Sequence, residues 1–129
     1  MNDRKINVLK LTAGSVTAEP EQIEDELEVY QNFVDGCIEC VRINERLVMV
    51  VNDEGLIREL PENIIASCLY WSITGKPATP ICGNAILCGV DPESGEFCDI
   101  PPSAVFSVLD LSRKLRNIEP AEDPGARPE

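Results

Sequence analysis

Cys37-Ile38-Glu39-Cys40 is the stretch most able to do chemistry. Two thiols at this spacing suit a zinc or redox site, and Cys82, Cys88 or Cys98 could complete a four-thiolate set. The local pattern argues against that use. Both cysteines lie in a β-type run without glycine, where positions 37 and 40 project to opposite faces. The cysteines then read as small structural hydrophobes, and no metal or cofactor is expected. The chain has no histidine. That removes the commonest general base near neutral pH, and with it every His-dependent triad or metal site.

Other partial signals fail on inspection. Glu39 is the only acid inside an apolar run, and a cross-strand pair with Arg42 or Arg46 is expected for it. Thr74-Gly75-Lys76-Pro77 imitates a phosphate loop, but Tyr70 stands where the first glycine belongs and Pro77 replaces Ser or Thr. Asp91 to Gly95 falls short of a calcium loop because its glycine comes one position early and no glutamate follows at the required place. No catalytic residue is assigned, and the expectation is a protein that is not an enzyme.

The elements around these residues are more legible. Lys5 to Thr12 reads as a strand. Pro20 opens a helix whose apolar stripe is Ile23, Leu27, Tyr30 and Val34, ended by Asp35-Gly36. Its other face is acidic, with Glu19, Glu21, Glu24, Asp25, Glu26 and Glu28. A hairpin follows, Cys37–Ile43 and Leu47–Val51, joined by Asn44-Glu45-Arg46. The second strand is apolar on both faces, which suits a central, doubly covered position. Asn52 to Gly55 is a turn, with Gly55 at positive φ. Pro61 to Ser72 is a short helix capped by Asn63. Ile81 to Val90 and Phe97 to Ile100 are strands, and Pro101-Pro102 opens a last helix along Val105, Val108, Leu111, Leu115 and Ile118.

The expected fold class is α+β: a mostly antiparallel sheet of about four or five strands, with about three helices packed mainly on one face. Residues 1–118 form one domain. Residues 119–129 read as a disordered, acidic, proline-rich tail.

Eleven Lys and Arg face twenty-three Asp and Glu, giving a net charge of −12. Such a chain repels phosphate backbones and anionic membranes, so neither nucleic acid nor membrane is an expected partner. A basic protein partner fits, and a homo-oligomer is allowed. The longest aliphatic run, Leu47 to Val51, is too short to cross a bilayer, and the first residues lack a secretory pattern. A cytoplasmic protein with reduced cysteines is expected.

Several motifs taken together resemble a small domain family of unknown function found in bacteria, phages, mobile elements and some algae. They are G-x-I-E-x-V at Gly36 to Val41, M-V-V-N-D-E-G-L at Met49 to Leu56, L-P-x-N at Leu60 to Asn63, and G-N-A-I-L-C-G at Gly83 to Gly89. The resemblance implies a cytosolic accessory protein from a phage or mobile element, and no reaction. Its polar and glycine positions have structural readings: Gly36 and Gly55 for special backbone angles, Asn52 and Asn63 for turn and cap bonds.

The functional expectation is therefore a non-enzymatic accessory interaction module, in its sharpest form an acidic inhibitor of a host protein. Its binding residues would be Glu21, Glu24, Asp25 and Glu28 on the acidic helix. The alternative is a small-ligand binder of nucleotides or metabolites. Its site would lie at the hairpin end, near Asn52, Asp53, Glu54 and Asn63.

Overall fold

A computed structural model of the chain describes residues 4–75 and 80–121. The elements run β1 (Lys5–Leu11), β2 (Ala18–Glu24), α1 (Leu27–Val34), β3 (Ile38–Asn44), β4 (Leu47–Asn52), α2 (Ile64–Thr74), β5 (Ala85–Val90), β6 (Phe97–Cys98) and α3 (Pro102–Ala121). Every strand pairing is antiparallel. The strand order is β2-β1-β5-β4-β3, with β6 paired to β5 beside that path, six strands among the described residues. The fold is α+β, with one strand more than the sequence suggests.

Strand alternation divides the core in two. On one face Leu9, Leu11, Met49, Val51 and Leu87 pack against Ile65 and Leu69 of α2 and Val108 of α3. On the other, Ile6, Val8, Val48, Val50 and Ile86 pack against Tyr30 of α1. Two helices thus share one face and the third covers the opposite one. All six residues of β4 and all six of β5 are buried, as a doubly covered sheet centre requires. Each large aliphatic side chain buried there contributes about 2 kcal/mol.

The added strand comes from the segment read as the start of a helix. Ala18 to Glu24 pairs with β1 along its whole length, from Leu11↔Ala18 to Lys5↔Glu24. The apparent stripe joined residues of two different elements. Ile23 is buried on the strand, whereas Leu27 begins α1 and is 57% exposed. Pro20 is not a helix opener here but a residue of an outer strand, where proline is tolerated. The long-range ladder outweighs local helix preference, which is worth only a few tenths of a kcal/mol per residue.

Of the two glycines expected to need special backbone angles, Gly36 has one, at φ 153°, although the left-handed cap of α1 is Asp35, at φ 65°. Gly55 is absent from the positive-φ residues, so backbone angle is not what requires it. Near the C-terminus, α3 continues to Ala121, and the rest of the expected tail lies outside the described residues, as do residues 76–79 of the phosphate-loop imitation.

Candidate functional site

A groove of about 370 Å³ opens at the end of the β3–β4 hairpin. β3 supplies Glu39 and Val41, β4 supplies Val51 and Asn52, and the following turn supplies Asp53, Gly55 and Leu56. Tyr70 of α2 and the segment Pro80-Ile81-Cys82 close the other side.

Asn52 fixes the first wall. Its side chain is buried, its Nδ2 donates to the carbonyls of Val34 (2.9 Å) and Asp35 (3.1 Å), and its Oδ1 accepts from Glu54 N–H at 2.7 Å. One amide therefore ties the end of α1 to the turn after β4. The Asp53 N–H extends the ladder by donating to the Cys37 carbonyl at 3.0 Å.

Asn63 fixes the second wall. It is fully buried, and its Oδ1 accepts from Ala66 N–H at 3.1 Å, which makes it the N-cap of α2 as the sequence suggests. Its Nδ2 donates to the carbonyls of Leu11 and Gly83, each at 2.9 Å. Its backbone N–H donates to Ile81 at 2.7 Å, and Ser67 Oγ accepts from Ile81 N–H at 2.9 Å. The Ile81–Gly83 segment is thus pinned to the first turn of α2. Gly55 lets the two walls meet: a Cβ there would lie 2.2 Å from the Cys82 carbonyl oxygen. Its role is close approach.

The expected hairpin-end residues therefore separate by role. Asn52 and Asn63 are consumed by the backbone. Glu54 contributes its N–H to the turn and does not line the groove. Asp53 lines the groove with an exposed side chain that has no hydrogen bond or ion pair among the described residues. Glu39 shares that condition. The expected pair with Arg42 or Arg46 does not form: positions 39 and 42 face opposite sides of β3, Arg42 instead donates to the Asn44 and Glu45 carbonyls, and Arg46 makes no ion pair with Glu39. Among the described residues the outcome is two unpaired carboxylates beside an apolar wall of Val41, Val51, Leu56 and Ile81. Sequence reasoning singled out Glu39 as an acid in an apolar run but left it, Tyr70 and Cys82 out of the site. Their proximity depends on the α2–β5 connection, which carries no local signal.

The acidic residues expected on one helix face do not share a face. Glu21 is on β2 and pairs with Lys10 of β1 at 3.0 Å; the same ammonium lies 4.8 Å from the Phe33 ring centre. Glu24 falls on the opposite side of the strand by alternation. Asp25 accepts from Tyr30 Oη at 2.9 Å and lies 3.9 Å from Arg4. Glu28 is in the first turn of α1. The β2 edge, with its proline and its carboxylates, is a strand protected against further pairing.

Cys40, Cys68, Cys82 and Cys98 offer little nucleophilic character. Burial pushes the pKa of Cys40, Cys68, Cys82 and Cys98 upward, with neighbouring carboxylates adding to it at each site. A raised pKa leaves less thiolate at neutral pH. Among the described residues no group of three or more His, Cys, Asp or Glu could hold a metal ion.

Burial also raises Cys88 and Tyr30 strongly, with Cys40 adding at Cys88 and the bond to Asp25 adding at Tyr30. The unfolded chain ionises these groups near pH 8.5 and 10, before the folded chain does. Their contribution to stability is therefore full below those values and is lost as pH rises through and beyond them. Urea midpoints should fall steadily from about pH 8.5 to 11, and Tyr30→Phe with Cys88→Ala should flatten that limb even though both weaken the protein at pH 7. An unchanged slope would mean these groups do not set it.

A match to the family described as Domain of unknown function (DUF3846) spans residues 6–112. The chain belongs to that family. The match runs from the second residue of β1 through β6 and the first half of α3, so the groove lies wholly within the DUF3846 domain. No curated protein and no solved structure matches the chain. Among the described residues no helix is long and apolar enough to cross a membrane.

Proposed function

We propose that this DUF3846 domain is a non-enzymatic accessory interaction module whose hairpin-end groove receives a positively charged group with an apolar stem. The observation that carries this reading is the pair Glu39 and Asp53. Each carboxylate lines the groove, has no partner among the described residues and adjoins aliphatic side chains. A cation held there would gain charge-assisted hydrogen bonds, and its stem would cover Val41, Val51 and Ile81. The chain's charge of −12 would draw such a partner in from a distance.

A basic protein partner fits better than a nucleotide, because phosphate would meet two carboxylates. The resemblance to chains of phages and mobile elements supports an accessory role, with inhibition of a basic host protein as its sharpest form. The volume, about 370 Å³, also lies within the range of small-ligand sites, which favours an amine metabolite as the second reading.

1,5-Diaminopentane is a direct probe. It should raise the melting temperature saturably at low salt, with the gain shrinking as salt increases. Glu39→Gln with Asp53→Asn should abolish the gain, and glutarate, of similar length and opposite charge, should give none. An equal response to glutarate, or a gain that survives the double substitution, would contradict the reading.

A further inference from the structure

The groove lies beside an open sheet edge. β3 is an outer strand, and it pairs with β4 from Ile38↔Asn52 to Arg42↔Val48 before a register shift interrupts the ladder. The Asp53 N–H to Cys37 carbonyl bond sets the alternation along this pair. Residues 37, 39 and 41 direct their backbone groups to β4, so Ile38, Cys40 and Arg42 direct theirs outward. The other outer strand, β2, carries Pro20 as its third residue, where a donor is missing. β3 has no proline over the same length. The side chains of Glu39 and Val41 point to the face where the groove opens.

We propose that β3 is a docking edge, to which an extended, lysine- or arginine-bearing segment of a partner protein adds as a further strand. The outward N–H and C=O groups of Ile38, Cys40 and Arg42 form the new ladder. A basic side chain opposite Glu39 then lies over the groove, where Glu39 and Asp53 face it. Charge decides the occupant. A second copy of this chain would bring a further −12 to the edge, whereas a basic segment neutralises two carboxylates that have no partner among the described residues. This inference rests on the groove reading above and adds backbone pairing to it.

The experiment measures amide hydrogen exchange by NMR under reducing conditions, with an end-capped heptapeptide of alternating valine and lysine. Exchange at Ile38, Cys40 and Arg42 should slow about tenfold or more, while Glu39 and Val41, already bonded to β4, change little. A valine–glutamate counterpart should have no effect, and neither should a valine–lysine peptide N-methylated on its pairing edge. Cys40→Pro removes an outward donor from an outer strand, where proline is tolerated. It should abolish the peptide effect and keep the 1,5-diaminopentane response; should it fail to fold, the N-methylated peptide decides alone. If the lysine peptide leaves the three amides unprotected while 1,5-diaminopentane still stabilises the protein, the edge inference is wrong and the groove reading stands. If neither has an effect, both fall. Protection at β2 instead, or protection at β3 that grows with protein concentration alone, also overturns the proposal.

Discussion

Asn63→Ala should lower stability by about 3–5 kcal/mol, measured as a urea-unfolding free energy at pH 7. The side chain is fully buried and makes three bonds to backbone groups from three parts of the chain. Its loss strands the carbonyls of Leu11 and Gly83 and the N–H of Ala66 out of reach of water. An unsatisfied buried group costs about 1–3 kcal/mol, and a lost N-cap about 1 kcal/mol. Most single domains have only about 5–15 kcal/mol in total, so this one change brings the fold near its limit. Asn63→Asp separates hydrogen bonding from packing. The introduced carboxyl keeps the cap but, once ionised, opposes two carbonyl oxygens. Burial and those oxygens raise its folded-state pKa, so stability should be best preserved below about pH 4 and fall as pH rises. A loss under 1 kcal/mol for Asn63→Ala would mean that other groups hold the second wall of the groove.

Gly55→Ala should cost about 3 kcal/mol and also disable the groove. The added methyl, its position fixed by the backbone, would lie 2.2 Å from the backbone carbonyl oxygen of Cys82. No rotamer change relieves that contact, so the turn and the Pro80–Cys82 segment must separate. Gly89→Ala is the control. Its Cβ would lie 2.2 Å from the Asp99 carbonyl oxygen, in β5 and outside the groove. The two substitutions should destabilise to a similar degree, but only Gly55→Ala should also remove the response to 1,5-diaminopentane. Equal responses in both variants would show that the groove does not depend on this approach.

These expectations show which parts of the molecule the sequence reveals. The apolar run Leu47–Val51 and the cap at Asn63 follow from local chemistry, and the structure has both. The segment from Pro20 to Glu24 was not legible. Its glutamates and its Ile23–Leu27 spacing satisfy a helix, and only the ladder with β1 makes it a strand. Gly55 was singled out, but for a backbone angle it does not adopt, because a contact with Cys82 is invisible to local patterns. The groove shows the same division. Asp53 and Glu39 stand out as residues, but their shared site exists only after Asn52 ties α1 to the turn and Asn63 ties β1, α2 and the β5 approach together.

We propose a division of labour in which the asparagines and Gly55 hold the backbone and Glu39 and Asp53 receive a partner. The most direct test is urea unfolding of Glu39→Gln with Asp53→Asn, with and without 1,5-diaminopentane. The variant should match the parent within about 0.5 kcal/mol when no ligand is present, as surface changes do, and gain nothing on adding it. A variant clearly weaker without the amine, or still stabilised by it, would show that these carboxylates support the fold or that the amine binds elsewhere.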